Sequence, residues 1–183
     1  MKQLRIVISG TPGSGKSTLA KALAKRLGLK RFSAGDFARQ LAAERGLTIL
    51  KLNKLAEEDP QIDMEIDKRT IELGKKERSF VMDSRIAWNF IPQSVKIFLK
   101  ADPNIAAKRI FKDLRPVEQE NTSIEKVQKN IKKRTASERA RYKKLYSIDF
   151  TDESNYDLVI DTSHLSPAQV LKRVMRFLKT KGF

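Results

Sequence analysis

Cysteine is absent from this 183-residue chain, histidine occurs once, and no apolar run is long enough to cross a membrane. Without cysteine there can be no disulfide bridge, no thiolate metal site and no cysteine nucleophile. The one histidine, His164, follows the last predicted strand, where we expect a turn residue and not a catalytic base. The first residues lead directly into a strand, without the three regions of a signal peptide. We therefore expect a cytoplasmic protein that makes no membrane contact.

Acidic residues are also missing from residues 1–35, which carry eight lysines and arginines. The whole chain has a formal net charge of +16 at pH 7. Such an excess favours an anionic partner, namely a nucleotide, a nucleic acid or an acidic membrane, although a lysine-rich solvated surface would give the same count. Since 40% of the residues are hydrophobic, the chain can build a proper core, and its length fits one domain, which we expect to be monomeric.

Apolar runs rich in β-branched residues alternate along the chain with runs of helical period. The predicted strands cover residues 4–9, 30–33, 79–83, 95–100 and 157–161. The predicted helices cover residues 16–27, 35–45, 48–58, 62–77, 103–113, 123–145 and 166–180. This alternation predicts an α/β fold, in which helices cover both faces of a five-stranded parallel sheet and ligands bind beyond the carboxyl ends of the strands.

Residues 10–17 follow the phosphate-binding loop pattern G-x-x-x-x-G-K-[ST] at every fixed position. A β-branched run precedes the motif and a helix-period run follows it, as the strand–loop–helix context requires. Backbone N–H groups of such a loop, and the N-terminus of the next helix, bind a polyphosphate. We expect Lys16 to reach the β- and γ-phosphates of ATP and Ser17 to ligate Mg²⁺. The predicted ATP-binding residues are Gly10, Thr11, Pro12, Gly13, Ser14, Gly15, Lys16, Ser17 and Thr18.

A carboxylate, Asp83, ends the apolar run of residues 80–83. In a fold with a phosphate-binding loop, a carboxylate at a strand end holds Mg²⁺ directly or through water. Asp83 is therefore the second predicted metal ligand, and a strand-end aspartate that caps a turn is the alternative.

Five arginines are candidates for phosphate contacts, because guanidinium groups offer bidentate donors with permanent charge and stabilise a transferring phosphoryl group. They are Arg39, Arg85, Arg109, Arg134 and Arg141. Arg134, Glu138 and Arg141 share one face of a predicted helix, so an ion pair on an exposed surface is the alternative for that set.

The shortage of bases bears on the acceptor of the phosphoryl group. A kinase that acts on a hydroxyl usually needs a base to take the proton, and a hydrolase must position a water molecule. A phosphate acceptor needs neither, because it is mostly a dianion at neutral pH. It needs cations that hold two highly charged phosphates together. The plentiful arginines favour the phosphate acceptor. A GTPase is not favoured, because residues 83–86 lack the glycine of D-x-x-G and residues 53–56 lack the aspartate of N-K-x-D.

Several further segments, in order along nearly the whole chain, match the sequence pattern of one known family of kinases. The phosphate-binding loop alone is generic, but residues 33–36 with Arg39, and residues 134–142, are much more specific. The other matching segments are residues 56–63, 82–85, 95–101 and 156–160. With these segments the chain resembles the nucleoside monophosphate kinases, and most closely the archaeal-type cytidylate kinases. Three features depart from the family pattern: Ser84 in place of a glycine, Trp88-Asn89 in place of a Gly-Trp-like pair, and a longer segment at 111–123.

The resemblance implies that the γ-phosphate of ATP is transferred to CMP or dCMP with Mg²⁺, giving ADP and CDP or dCDP. It also implies a three-layer α/β/α P-loop fold over residues 1–183, with a monophosphate-binding insertion at about 34–77 and a lid at about 109–145. The implied catalytic residues are Lys16, Arg85, Arg109 and Arg134. The implied substrate-binding residues are Ser33, Gly35, Asp36, Arg39, Asp83, Arg85, Arg134, Glu138 and Arg141. The implied metal ligands are Ser17 and Asp83.

Other functions stay open at this point. Another P-loop kinase could act on a different monophosphate, or on a small-molecule hydroxyl with Asp36 as the base. A kinase-like ATPase could instead bind RNA through the positive charge, but Tyr142 and Tyr146 are spaced for packing inward and not for stacking on bases. We therefore do not expect a nucleic-acid partner. The basic amphipathic helix at 166–180 is expected to cover the sheet and not to lie on a membrane.

Overall fold

Five parallel strands form one sheet in the computed structural model of the chain, which describes residues 3–112 and 123–183. The strands are β1 Arg5–Gly10, β2 Lys30–Ser33, β3 Phe80–Asp83, β4 Val95–Lys100 and β5 Leu158–Asp161. Their order across the sheet is β2-β3-β1-β4-β5, so the strand before the phosphate-binding loop lies at the centre. The register pairs Asp83 with Ile8 on one side and with Ser33 on the other. These contacts confirm the predicted parallel α/β sheet.

Helices fill the connections between these strands. In the part of the chain that the structure describes, they are α1 Lys16–Leu27, α2 Ala34–Glu44, α3 Ile49–Leu55, α4 Pro60–Lys76, α5 Ala87–Phe90, α6 Pro103–Lys112, α7 Ile124–Tyr146 and α8 Pro167–Thr180. The seven predicted helices are confirmed, with described ends shifted by at most three residues. The short α5 is an addition, because one turn of helix leaves no periodic pattern in a sequence. The departure noted at 111–123 lies mostly outside the described residues.

Alternate residues of each central strand enter cores on opposite faces of the sheet. Ile6 and Ile8 pack with α1 and α8, and Val7 packs on the other face with residues of α5 and α7. Because both faces are covered, the central strands are apolar on both sides, as expected of a parallel sheet. Tyr142 and Tyr146 of α7 pack onto the second core, which confirms their predicted inward position.

Helices α2, α3 and α4 share a small core of their own beside the sheet. Its buried members are Leu41, Ala42, Leu52, Ala56 and Ile62. Helix α4 begins at a defined cap, because Asp59 accepts a hydrogen bond from the backbone N–H of Gln61 and Pro60 fits the first helical position. The region between β2 and β3 is thus a helical unit attached to the edge of the sheet.

The last helix, α8, begins with a complete capping box. Ser166 accepts from the N–H of Gln169, and the Gln169 side chain accepts from the N–H of Ser166. Val170, Val174 and Leu178 bury one face of this helix against the sheet, which confirms its predicted covering position. Nowhere in residues 3–112 or 123–183 is a helix both long enough and apolar enough to span a bilayer.

Candidate active site

The phosphate-binding loop joins β1 to α1 in the middle of the sheet. Gly10 and Gly13 have φ angles of +145° and +71°, and a Cβ would lie 2.0 Å from the Leu99 carbonyl oxygen at Gly10 and 2.8 Å from the Ala106 carbonyl oxygen at Gly13. These positions need glycine because neighbouring backbone comes too close for a side chain. Gly15, at φ +88°, has open space, so only its backbone conformation favours glycine.

The side chains of the loop turn back onto its own backbone. Lys16 Nζ and Ser14 Oγ each donate to the carbonyl oxygen of Thr11, both at 2.8 Å. Burial, and next the positive charge of Arg85, lower the pKa of Lys16 well below its usual range. A polyphosphate in the loop would supply the negative charge that this ammonium lacks. The geometry therefore fits an anion-binding loop.

The two predicted metal ligands belong to neighbouring parts of the sheet, since Asp83 ends β3 and Ser17 lies in the first turn of α1, which follows the adjacent strand β1. Asp83 is buried at the end of β3, and its Oδ2 accepts from Arg31 at 3.1 Å. Among the described residues, no side-chain hydrogen bond occupies Asp83 Oδ1 or the Ser17 hydroxyl. Hard oxygen donors of this kind suit Mg²⁺. The described residues hold no cluster of three or more metal-binding side chains.

An unpredicted arginine, Arg31 of β2, lies between two of the predicted site residues. Its guanidinium donates to Asp83 Oδ2 at 3.1 Å and to Asp36 Oδ2 at 2.7 Å. The other Asp36 oxygen accepts from Arg39. Burial alone would raise the pKa of Asp36, but hydrogen bonds and positive charge from Arg39 and Arg31 outweigh it and lower that pKa. Asp36 is therefore a poor base at neutral pH.

Ser33 and Gly35 stand beside this group at the start of α2. Ser33 is buried, and a Cβ on Gly35 would lie 3.5 Å from the Ser33 hydroxyl oxygen and 3.6 Å from a guanidinium nitrogen of Arg39. The hydroxyl and the guanidinium thus flank one glycine. The predicted residues Ser33, Gly35, Asp36 and Arg39 are brought together.

Arg85 connects the phosphate-binding loop to α7. Its Nε donates to Glu138 Oε2 at 2.8 Å, a second nitrogen donates to the carbonyl oxygen of Gly10, and the group lies 5.3 Å from the centroid of the Phe150 ring. Glu138 Oε1 accepts from Arg134 Nε at 2.9 Å. Three predicted residues, Arg85, Arg134 and Glu138, therefore form one network beside the loop.

Arg85 and Arg134 keep the Glu138 carboxylate ionised. Burial on its own would raise the pKa of this carboxyl, but the guanidinium groups of Arg85 and Arg134 outweigh it and lower that pKa to about 2. Glu138 is thus ionised throughout the physiological range. Glu138 neutralises part of the positive charge that surrounds Lys16.

The backbone carbonyl group of Arg85 is hydrogen-bonded as well as its side chain. Its carbonyl oxygen accepts from the Ser9 hydroxyl at 2.8 Å and from the Trp88 indole at 3.0 Å. Ser84, one of the departures from the family pattern, is buried and its hydroxyl accepts from the N–H of Ala87 at 3.2 Å. Ser84 therefore begins the turn that leads into α5.

Arg109 belongs to α6. Its guanidinium donates to the carbonyl oxygen of Thr162 at 2.6 Å and to that of Ser163 at 3.2 Å, and it reaches Gly13 O at 3.4 Å. It thus links the phosphate-binding loop to the loop after β5. Its predicted contact with a transferring phosphoryl group stays a prediction.

Arg141 lies where α7 meets the helical unit of α2, α3 and α4. It forms a buried ion pair with Asp63 at 2.9 Å and donates to the Asn53 carbonyl oxygen at 3.4 Å. One turn further along α7, the hydroxyl of Tyr146 donates to Asp67 at 2.8 Å. Burial is the main cause that raises the pKa of Asp67, to about 7. Asp63 falls in the matching segment 56–63 but was assigned no role, and no sequence pattern singles out Asp67, because it occurs in an ordinary amphipathic helix.

One signal could have identified Arg31 in advance. Arg31 and Ser33 are two apart in one strand, and side chains two apart lie on the same face. Ser33 was predicted to line the site, so the charged residue on its face at the strand end was a candidate as well. His164, by contrast, lies exposed in the turn before α8, as predicted.

Comparison with solved structures shows which known proteins share this fold. Solved structures with the same fold include a shikimate kinase from Bacteroides thetaiotaomicron, with a TM-score of 0.68 at 16% identity over 99% of each chain. An uncharacterized protein from Eubacterium ventriosum has a TM-score of 0.71 at 18% identity, covering 97% of this chain and 99% of that one. At such identities the likeness concerns the fold alone.

Sequence comparison gives the family. The model of the cytidylate kinase-like family matches residues 5–164. A cytidylate kinase of Archaeoglobus fulgidus is 36% identical over 97% of this chain and 96% of its own. A cytidylate kinase of Methanococcoides burtonii is 41% identical over 97% of this chain and 98% of its own. The chain therefore belongs to the cytidylate kinase-like family, as the resemblance predicted.

Proposed function

We propose that the protein is a cytidylate kinase, which transfers the γ-phosphate of ATP to CMP or dCMP and forms ADP and CDP or dCDP. The observation that carries the proposal is the position of Arg85. Its guanidinium touches both the Gly10 carbonyl oxygen of the phosphate-binding loop and Glu138 of α7. A donor site for triphosphate and a cationic site for a second phosphate therefore adjoin one another. Membership of the family supports the same reaction.

Each half of the site has a defined task in this proposal. The loop from Gly10 to Thr18 binds the triphosphate, and Lys16 neutralises its β- and γ-oxygens. Arg39 and Arg85 hold the acceptor phosphate, with Ser33, Gly35 and Asp36 beside them. Arg134, Glu138 and Arg141 bind the nucleotide from α7, and Arg109 supports the loop from the other side. We assign the monophosphate-binding insertion to residues 34–77 and the lid to residues 109–145.

The transfer itself needs little more than positioning and positive charge. The acceptor phosphate is mostly a dianion at neutral pH, so its oxygen can attack without a protein base. The guanidinium groups of Arg85 and Arg134 bring permanent positive charge to the phosphates, which reduces their mutual repulsion. Mg²⁺, held by Ser17 and Asp83, would supply further charge neutralisation when ATP is bound.

Two alternative functions have less support. A hydroxyl kinase would need Asp36 as a base, but Arg39 and Arg31 hold the pKa of that carboxyl below its usual range. An RNA-binding ATPase would favour exposed aromatic residues, but Tyr142 and Tyr146 pack into the core. A monomeric state and a cytoplasmic location stay predictions from the sequence.

The decisive experiment is an ADP-release assay with ATP, Mg²⁺ and a panel of acceptors: CMP, dCMP, UMP, AMP and shikimate. We expect turnover of CMP or dCMP, loss of turnover in Lys16→Ala, and wild-type rates in Lys21→Ala, which alters an exposed lysine on the same helix. Chelation of Mg²⁺ should stop the reaction. Good turnover of UMP, AMP or shikimate without turnover of CMP or dCMP would refute the proposal.

A further inference from the structure

Arg31 shares its guanidinium between the two carboxylates at the acceptor side of the site. One terminal nitrogen lies 3.1 Å from Asp83 Oδ2 and the other lies 2.7 Å from Asp36 Oδ2. The side chain of Arg31 is three-quarters buried, whereas Asp36 and Arg39 are about half exposed. The buried guanidinium is therefore the fixed member of this group, and the more exposed residues are the adaptable ones.

Asp36 stands between two arginines, and each of its oxygens has a different partner. Oδ2 accepts from Arg31 and Oδ1 accepts from Arg39. If Arg31 were absent, the whole negative charge of Asp36 would act on Arg39 alone. A guanidinium held tightly by a carboxylate is less available to a phosphate, because both anions need the same N–H donors.

Asp83 is affected by the same guanidinium. Arg31 occupies only Oδ2, so among the described residues Oδ1 accepts no side-chain hydrogen bond, and the guanidinium neutralises part of the charge at the strand end. The two carboxylates belong to different elements, since Asp83 ends β3 and Asp36 lies in the first turn of α2. A planar fork with a fixed angle between its donors holds both at a defined separation, which an ammonium group cannot do.

We propose that Arg31 is a positioning residue for the acceptor nucleotide: it holds Asp36 and Asp83 at a fixed separation and shares the charge of Asp36 with Arg39, so that an acceptor phosphate can take Arg39 from Asp36 more easily. Arg31 itself touches neither substrate nor metal in this role. The inference rests on the proposed function, because it presumes a nucleoside monophosphate beside Arg39. It adds a positioning residue on β2 to the predicted site.

The test compares Arg31→Met with Arg31→Lys and with Lys30→Met as a matched control. Lys30 is the neighbouring residue on β2, but its ammonium pairs with Glu77 at 2.7 Å and its side chain is 68% exposed. The affinity for CMP is measured by calorimetry without ATP or Mg²⁺, so the readout does not depend on turnover. KM for CMP, KM for ATP and kcat are measured separately.

We expect Arg31→Met to weaken CMP binding and raise KM for CMP by about tenfold, the scale of one lost charge-assisted hydrogen bond, with KM for ATP nearly unchanged. Arg31→Lys should fall between Arg31→Met and the wild type, because its ammonium keeps the charge without the fork. Lys30→Met should bind CMP like the wild type. In an Asp36→Asn background, the effect of Arg31→Met on CMP affinity should shrink to less than about threefold. The reason is that the negative charge through which Arg31 acts on Arg39 is already absent.

Three results would overturn the inference: wild-type CMP affinity in Arg31→Met, an undiminished effect in the Asp36→Asn background, or equal changes in KM for CMP and for ATP. If Arg31→Met does not fold, Arg31→Lys in both backgrounds decides the same question. A wild-type protein that phosphorylates another monophosphate refutes the proposed substrate, and the same series with that monophosphate then tests Arg31. A wild-type protein that binds no monophosphate refutes both.

Discussion

Arg85 and Glu138 form an ion pair at 2.8 Å whose side chains are 11% and 9% exposed, and this pair joins the phosphate-binding loop to α7. The two residues are far apart in the sequence, on different structural elements. A buried pair of this kind tolerates the loss of one partner poorly, because the remaining charge stays desolvated.

We therefore expect Glu138→Gln to lower the free energy of unfolding by roughly 3 kcal/mol and to reduce kcat/KM for CMP by at least about tenfold. The folded-state pKa of about 2 lies below the usual value for glutamate. Its stabilising contribution is thus present above about pH 4.5 and is lost as the pH falls toward 2. Urea unfolding between pH 2 and 7 should show a steeper acid loss in the wild type than in the variant.

Glu72→Gln is the control for that measurement, because Glu72 lies exposed inside α4, away from the ends of that helix. An equal loss of stability and activity in both variants would mean that the buried network has no special role.

Asp67 should make stability depend on pH in the opposite direction. Its pKa is raised to about 7, so the folded state keeps a proton that the unfolded chain releases near pH 4. The free energy of unfolding should therefore fall as the pH rises from about 4 to 7, by at most about 1.4 kcal/mol per pH unit from this group. Asp67→Asn should flatten that slope, so its stability relative to the wild type should be higher at pH 8 than at pH 4. Urea unfolding across this pH range measures both. An unchanged slope would refute the assignment.

Gly13 and Gly28 offer a matched comparison of close packing. Both have positive φ, +71° and +64°, but only Gly13 has neighbours in the space of a Cβ, with the Ala106 carbonyl oxygen at 2.8 Å. We expect Gly28→Ala to cost about 1–2 kcal/mol from backbone strain alone, and Gly13→Ala to cost about 1–3 kcal/mol more. Urea unfolding without nucleotide separates the two. Equal losses would show that the loop can move away from α6 at little cost.

Arg109 should matter for the shape of the phosphate-binding loop. Arg109→Met removes the donors to Gly13, Thr162 and Ser163, so we expect stability to fall by roughly 1–3 kcal/mol and the affinity for ATP to weaken. Lys108→Met changes the exposed neighbour on the same helix and should leave both unchanged. Calorimetry with ATP and urea unfolding are the measurements, and an unaltered ATP affinity in Arg109→Met would contradict the link to the loop.

The order of strands and helices could be predicted from the sequence because it depends on local patterns. The phosphate-binding loop is contiguous, and the β-branched run before it and the helical period after it are visible within a few turns. The arginines of the site were predicted partly by chemical type and partly by resemblance. Short elements such as α5 could not be predicted, because four residues carry no period.

What the sequence by itself determined was therefore the parallel α/β sheet, the anion-binding loop and the set of cationic residues available to a second phosphate. Only the tertiary structure decided which of them meet. It placed Arg31 between Asp36 and Asp83, joined Arg85 to Glu138, and set Arg109 against the loop after β5. The physical reason is that hydrogen bonds and ion pairs between distant segments depend on how the strands are ordered and how the helices pack, and no local pattern in the chain encodes those distances.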